Sequence, residues 1–349
     1  MLEIDGARYS GSGSIVRQAV AYAALTRQPI RIINARSRRP KPGLRPQHVR
    51  VVEAIGELVG AATEDVRVGS QRIVFRPGTL RTGEGAQVWD VGSAGSTTLL
   101  ALATIPVLAF ERGPREVELR GGLFQDFAPS VFALQHAVVP LLKKMGLEVA
   151  VEMGRPGYVP RGEGILLLIV GPVRGPLRPI DLERRGGLQR IWGIALSSHL
   201  EERKVSHRMA EAARQVFAAA GQSADFELRY DTSALQPGAA LACFADLQGG
   251  VRLGADRAGA RGRPAETIGS HVARQLHADL STGATVDRHL ADQLILFASL
   301  AEGESRFRIP SLTDHIQAGA WLAREFLGAE VRIEDQEMRI RGAGFHASP

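Results

Sequence analysis

Two histidines, His48 and His315, stand at the starts of segments whose apolar spacing predicts amphipathic helices. Their lead-ins are Arg45-Pro46-Gln47-His48 and Ser311-Leu312-Thr313-Asp314-His315, and a third equivalent lead-in, Asp126-Phe127-Ala128-Pro129-Ser130, has no histidine. A helix N-terminus presents unpaired N–H groups and the positive end of the peptide dipole, so it attracts anions and holds a nearby imidazole neutral. That combination suits phosphate binding and a nitrogen nucleophile. Capping or a surface position is the ordinary use of either histidine taken alone. Six others (His136, His199, His207, His271, His277, His346) have no spacing that points to chemistry, and no His-Glu-x-x-His pair is present.

Cations are concentrated near the first of these helices. Residues 31–50 hold Arg31, Arg36, Arg38, Arg39, Lys41, Arg45 and Arg50 with no acid. The segment therefore carries +7, against +6 for the whole chain. Pro40, Pro42, Gly43 and Pro46 punctuate it and stiffen it. A charge run is usually a solvated face, but guanidinium forks bind phosphate oxygens bidentately, and a stiff arginine loop reads as a polyphosphate or nucleic-acid backbone site. Aromatic residues make up only 5% of the chain, which argues against a platform for stacking single-stranded bases. Two small-residue loops, Gly11-Ser12-Gly13-Ser14 and Gly92-Ser93-Ala94-Gly95-Ser96, open predicted helices and let backbone amides approach an anion. Asp292 and Gln293, on a third predicted helix, could read a base or a ribose, although a solvated face is the commoner use of such a pair.

Composition removes several classes of chemistry. There are four lysines, none followed by Ser or Thr and none opening Lys-x-Asp-Gly, so both a Walker A loop and a lysine-based nucleotidyl transfer are excluded. The single cysteine, Cys243, rules out an internal disulfide and a cysteine-based zinc site and fits a reducing compartment. Acids in Met1-Leu2-Glu3-Ile4-Asp5 oppose a signal peptide, and no run of 18 apolar residues occurs. A soluble, cytoplasmic protein with no membrane partner is expected.

The elements that must hold these residues recur. Three times an amphipathic helix ends at a glycine and leads into two strands: Val49–Val59 with Gly60, Val66, Val68 and Ile73-Val74-Phe75; Val131–Met145 with Gly146, Leu147, Val149, Val151 and Ile165–Val170; and Ile316–Leu327 with Gly328, Val331, Ile333 and Met338-Arg339-Ile340. An earlier helix and strand precede each copy: Ile15–Leu25 with Ile30–Ile33, Thr97–Phe110 with Val117–Leu119, and His289–Leu300 with Arg306–Ile309. Pro140 should kink the second copy's helix. The fold class is α/β (α+β): three repeated units, each with two helices and a four-stranded sheet opened by a strand such as Leu2-Glu3-Ile4. Residues 1–178 hold the first two units and 277–349 the third. Residues 179–276 break the period and read as a small inserted α+β domain, expected to be dispensable for the chemistry because every candidate residue lies in the repeats.

Taken together the motifs resemble the RNA 3′-terminal phosphate cyclase family over nearly the whole chain. The matching stretches are Asp5-Gly6-Ala7 with Gly11, Gly13 and Arg17; Arg36 to Leu44 running to Gln47-His48; Gly69-Ser70-Gln71-Arg72 with Phe75-Arg76-Pro77-Gly78; Gly92 to Ser96; Gly157 to Gly162; and Leu290-Ala291-Asp292-Gln293-Leu294. The resemblance implies a ligase that activates RNA 3′-phosphate ends with ATP during RNA processing or repair. His315 takes the position of the histidine that becomes adenylylated. Arg17, Arg36, Arg39, Gln47 and His48 match positions lining the phosphate and RNA site. Pro129 matches a position beside the adenine, and His289, Asp292 and Gln293 match the nucleotide pocket. A divalent metal, Mg or Mn, is implied as well, with its protein ligands unassigned.

Four positions depart from the family pattern. Ser10 stands in place of the acid that would help hold the metal, Leu102 in place of a pocket glutamine, His289 in place of a tyrosine and Glu163 in place of a glycine. These open the alternative of a family member that binds RNA and has weak or no cyclase activity, although relatives of that kind lack the nucleophilic histidine. A third reading, a small-molecule transferase akin to the enolpyruvyl transferases, shares repeated α/β units and basic clefts.

Overall fold

A computed structural model describes residues 1–79 and 87–346. The first unit runs β1 (Leu2–Asp5), α1 (Gly13–Thr26), β2 (Ile30–Ile33), α2 (Pro46–Val59), β3 (Ala62–Glu64) and β4 (Ile73–Arg76). Its sheet has the order β1-β2-β4-β3, with β1 and β2 parallel and joined through α1, and the later strands antiparallel. The second unit runs β5 (Gln87–Asp90), α3 (Thr97–Ala109), β6 (Arg115–Gly121), α4 (Val131–Ala133), a π-helical turn (Leu134–Val138), α5 (Val139–Lys144), β7 (Val149–Arg155) and β8 (Gly164–Val170), with the order β5-β6-β8-β7. The π turn answers the expected kink. Pro140 has no N–H to donate and its ring would strike the carbonyl four residues back, so one widened turn lets the helix continue.

The third unit opens with β9 (Asp181–Leu182), which pairs in parallel with a strand well over a hundred residues later. The insertion lies between them: β10 (Leu188–Ser198), α6 (Val205–Ala219), β11 (Ala224–Asp231), β12 (Gly238–Leu247), β13 (Val251–Ala258) and α7 (Ala265–Ser281), with the sheet order β11-β10-β12-β13. The unit resumes with α8 (Leu290–Leu300), β14 (Glu302–Arg308), α9 (Asp314–Leu327), β15 (Glu330–Glu334) and β16 (Glu337–Ala343), and its sheet is β9-β14-β16-β15. All three units therefore share one connectivity. Two sequence boundaries need correction: Asp181-Leu182 pairs within the third unit's sheet, and α7 runs to Ser281, past the 276/277 cut. A two-residue strand leaves no periodicity to detect. Val66 and Val68 lie outside β3, which spans three exposed residues and ends before Asp65, whose φ is +57°.

The first helix of each unit is buried nearly all round, which explains why α1, α3 and α8 are predominantly apolar apart from Arg17, Gln18, Asp292 and Gln293. Helix α1 packs on α2, α3 and α9, and α8 packs on α9, so helices of different units meet at the centre of the repeats. Gly60 and Gly328 end α2 and α9 with φ of +58° and +63°, a left-handed turn that disfavours residues with a Cβ. Among the described residues no helix is long and apolar enough to cross a membrane.

Candidate active site

The start of α1 meets the start of α9. Ser12 caps α1 by accepting the N–H of Ser14 at 3.3 Å, and Thr313 caps α9 by accepting the N–H of Ile316 at 3.2 Å. His315 is the second residue of α9, inside its first turn. Its Nδ1 lies 3.3 Å from Oγ of Ser14 and 3.5 Å from Oγ of Ser12. The hydroxyls continue outward, Ser14 to Ser12 at 2.7 Å and Ser12 to Ser10 at 3.0 Å. With the proton on Nδ1 and donated to a serine oxygen, the Nε2 lone pair is left free. Burial, then the charges of Arg39 and Arg17, hold the His315 pKa below the usual histidine value and favour that neutral ring.

His48, the third residue of α2, is buried and accepts the Arg45 N–H on Nδ1 at 2.9 Å, which places its proton on Nε2. The imidazole lies against Gly13, where any Cβ would overlap it. Burial and the neighbouring Arg36, Arg17 and Arg45 push its pKa down to about 3. His48 is thus a neutral N–H donor at the mouth of α1. Arg36, with φ +55°, donates Nη1 to the carbonyls of Lys41 (2.9 Å) and Gly43 (2.5 Å) and so stitches the arginine loop together. Arg31 pairs with Glu3, and Arg50 with Glu53 and Glu57. Among the described residues no carboxylate pairs with Arg36, Arg38, Arg39, Lys41 or Arg45. Arg39 is exposed.

Arg17 on α1 is buried and joins the two sides of the site. Its Nη2 donates to Oε1 of Gln293 at 3.3 Å, and Nε2 of Gln293 donates to Oδ2 of Asp292 at 2.7 Å. The buried setting lowers the Arg17 pKa to about 10 and raises that of Asp292 to about 6, with their mutual attraction opposing both shifts. Asp292 and Gln293 are therefore a buried pair and not a solvated helix face. Gln47 sits further back: its Oε1 accepts the N–H of Ser96, the capping residue of α3, at 3.0 Å, and ties the first unit to the second.

Pro129 and His289 border the inserted sheet. The carbonyl of Pro129 accepts from Thr98 at 2.7 Å, and the next N–H, of Ser130, donates to Oδ2 of Asp256 on β13 at 2.7 Å. His289 is exposed, with Nε2 lying 3.2 Å from Nε2 of Gln275 on α7. Asp287 accepts the N–H groups of His289 and Leu290, both at 2.9 Å, and that of Gly254 on β13 at 3.0 Å. The inserted domain thus contacts the segments that carry Pro129 and His289, contrary to its expected separateness. Sequence reasoning missed Ser12 and Ser14 as partners of His315, and Asp256 and Asp287 altogether. A serine or aspartate at a predicted helix start was the available signal for Ser12, Ser14 and Asp287, whereas Asp256 lies inside β13 and offered none.

The departures take definite forms. Leu102 is buried in α3 and offers no amide to a ligand. Glu163 adopts φ +54°, a left-handed conformation that accounts for the glycine expected there, and Arg155 donates twice to its carbonyl, at 3.0 and 2.7 Å. Ser10 supplies a hydroxyl and no charge. The carboxylates nearby are engaged: Asp287 by three N–H groups, Asp256 by Ser130, Asp292 by Gln293. Among the described residues no cluster of three His, Cys, Asp or Glu could hold a metal. The donor set does not fit a protein-held divalent ion.

Comparison with known proteins decides the family. The sequence pattern of RNA 3′-terminal phosphate cyclases matches residues 8–333. The chain belongs to the RNA 3′-terminal phosphate cyclase family. Proteins of that name from Hyperthermus butylicus, Desulfurococcus amylolyticus and Nitrosospira multiformis are similar to it, at 37%, 35% and 36% identity. The alignments cover 100%, 99% and 98% of this chain and 100%, 99% and 96% of those relatives. For the cyclase family these spans include every site residue named above.

Proposed function

We propose that this chain converts RNA 3′-phosphate ends to 2′,3′-cyclic phosphates at the expense of ATP, with His315 as the nucleophile. The observation that carries the reading is the placement of His315 Nδ1 beside Ser14, with the cations Arg17 and Arg39 near enough to depress its pKa. Nε2 attacks the α-phosphorus of ATP, a phosphorus–nitrogen bond forms, and the bond to pyrophosphate breaks. An oxygen of the RNA 3′-phosphate then attacks the same phosphorus and returns the electron pair to Nε2, giving an RNA-adenylate. The neighbouring 2′-hydroxyl closes on the 3′-phosphorus, loses its proton and expels AMP.

The chain's own groups suit each role. Arg39, exposed on the arginine loop, is available to the RNA 3′-phosphate, while the buried Arg17 and the Nε2–H of His48 are donors suited to phosphate oxygens. Pro129 and His289 are assigned to the base, and Asp292, when ionised, to ribose hydroxyls. No step is routed through a metal, since the residues present do not hold one. The buried free thiol Cys243 is consistent with RNA end processing in the reducing cytoplasm.

Ser10 and Leu102 favour a second reading, RNA binding with weak or no cyclisation. Incubation with α-labelled ATP separates the two. Label on the protein that is acid-labile, base-stable and lost in His315→Ala supports the enzyme; a wild-type protein that never labels supports the binding factor.

A further inference from the structure

A groove of about 630 Å³ runs along the exposed face of α7, lined by Arg257, Ser270, His271, Arg274, Gln275 and Arg288. Its side chains recur at helical intervals, 270/271 and 274/275, so successive turns of α7 present them to the same side. The acids of this wall are already engaged. Glu266 accepts two hydrogen bonds from Arg208, at 2.6 and 3.0 Å, and buried Asp279 is held by Arg288. Among the described residues no carboxylate pairs with Arg257 or Arg274, so the groove carries uncompensated positive charge. One end reaches the site, because Gln275 touches His289.

A separate observation marks a neighbouring point on the rim. Phe127 is entirely exposed, and its backbone is held at φ +72°. A phenylalanine gains nothing from exposure, and the left-handed conformation is strained for a residue with a Cβ. The preceding residue fixes the position: Asp126 is gripped by Arg263 of the inserted domain through bonds of 3.0 and 2.7 Å and lies within electrostatic reach of Arg257 and His271. An exposed ring next to an arginine-lined groove is the pairing that holds a single nucleic-acid strand, with a base on the ring and phosphates on the cations.

We infer that the RNA strand leading to the reacting 3′ end passes over Phe127 and along α7, with a base stacked on Phe127 and backbone phosphates on Arg257 and Arg274. The inference rests on RNA being the substrate, as proposed above, and gives the inserted domain the task of holding that strand.

The test measures binding of a fluorescent 3′-phosphorylated oligoadenylate of about 15 nucleotides, and of a 3′-phosphorylated dinucleotide, to the full chain by anisotropy. Arg257→Ala combined with Arg274→Ala should weaken the long RNA about tenfold and lower its log–log salt slope by roughly 1.4, about 0.7 for each lost phosphate contact. The dinucleotide should be unaffected. Phe127→Ala should weaken the long RNA about fivefold, and Phe127→Trp should restore it. Equal losses for long and short RNA, or a wild type that binds both equally, would overturn the path. So would a changed KM for ATP self-labelling with RNA binding intact, which would assign the groove to the nucleotide. Binding needs no turnover, so a protein that shows this length dependence but never labels with ATP would retain the groove and lose the cyclase reading.

Discussion

Nδ1 of His315 and Oγ of Ser14 stand 3.3 Å apart although 301 residues separate them in the chain. One belongs to the first turn of α9, the second helix of the third unit, and the other to the first turn of α1, the first helix of the first unit. Two helix N-termini thus meet at one place, and serine hydroxyls stand within hydrogen-bond reach of the imidazole there.

That contact should be worth about 1 kcal/mol of orientation, the net value of an ordinary hydrogen bond. Ser14→Ala is expected to slow self-labelling with α-labelled ATP roughly fivefold at unchanged stability, and Ser12→Ala/Ser14→Ala to slow it further. His315→Ala and His315→Asn should abolish it. Full-rate labelling in the double serine variant would show that the hydroxyls do not set the tautomer.

The pH response should come from Asp292. Its folded pKa, raised to about 6, means that it is protonated in mild acid and ionised above. If its carboxylate accepts from ribose, the KM for ATP rises as pH falls through about 6, and Asp292→Asn holds a high KM at every pH. Any loss from protonating His315 should fall below the usual histidine range, since burial and the charges of Arg39 and Arg17 lower its pKa. A KM profile identical in wild type and Asp292→Asn would remove Asp292 from nucleotide binding.

Arg39 offers a test of end specificity. It is exposed, so Arg39→Ala should leave stability within about 0.5 kcal/mol. Binding of 3′-phosphorylated RNA should fall more than binding of 3′-hydroxyl RNA. Equal losses at both ends would reduce the arginine loop to a general electrostatic surface.

The repeat was legible because its signal is local: three helices each followed by a glycine, and a return strand after each, although the first copy's β3 has only three residues. His315 and His48 were legible because each sits at a helix start. The links between repeats were not. Arg17 bonding Gln293, or Gln47 capping α3, depends on which helices meet at the centre, and nothing in the spacing of one element encodes its partner in another. The boundary of the insertion failed for a related reason. β9 has two residues and is recognised only through its pairing with β14.

His48 gives a prediction about space. Its ring occupies the place a Cβ at residue 13 would take, so Gly13→Ala must move either the imidazole or the start of α1. Both Gly13→Ala and His48→Ala should weaken binding of 3′-phosphorylated RNA while leaving the protein folded. With its pKa near 3, His48 should contribute equally at pH 6 and pH 8, in keeping with a neutral donor. A phosphate affinity that follows an ordinary histidine titration and loses that dependence in His48→Ala would contradict this.

The inserted domain should prove necessary, against the modular expectation from sequence. Excising residues 183–281 removes Asp256 from Ser130, Gly254 from Asp287 and Gln275 from His289, three contacts bordering the nucleotide side. Each buried polar group left unpaired costs about 1–3 kcal/mol, so the shortened chain should be destabilised and its ATP labelling impaired. Because such a chain can fail to fold outright, Asp256→Ala supplies the finer measurement. It takes the acceptor from Ser130, the capping residue of α4, and leaves the rest of the insertion in place. The expected result is a higher KM for ATP. A folded excision variant that labels with the wild-type KM would show instead that the three repeats alone complete the nucleotide site.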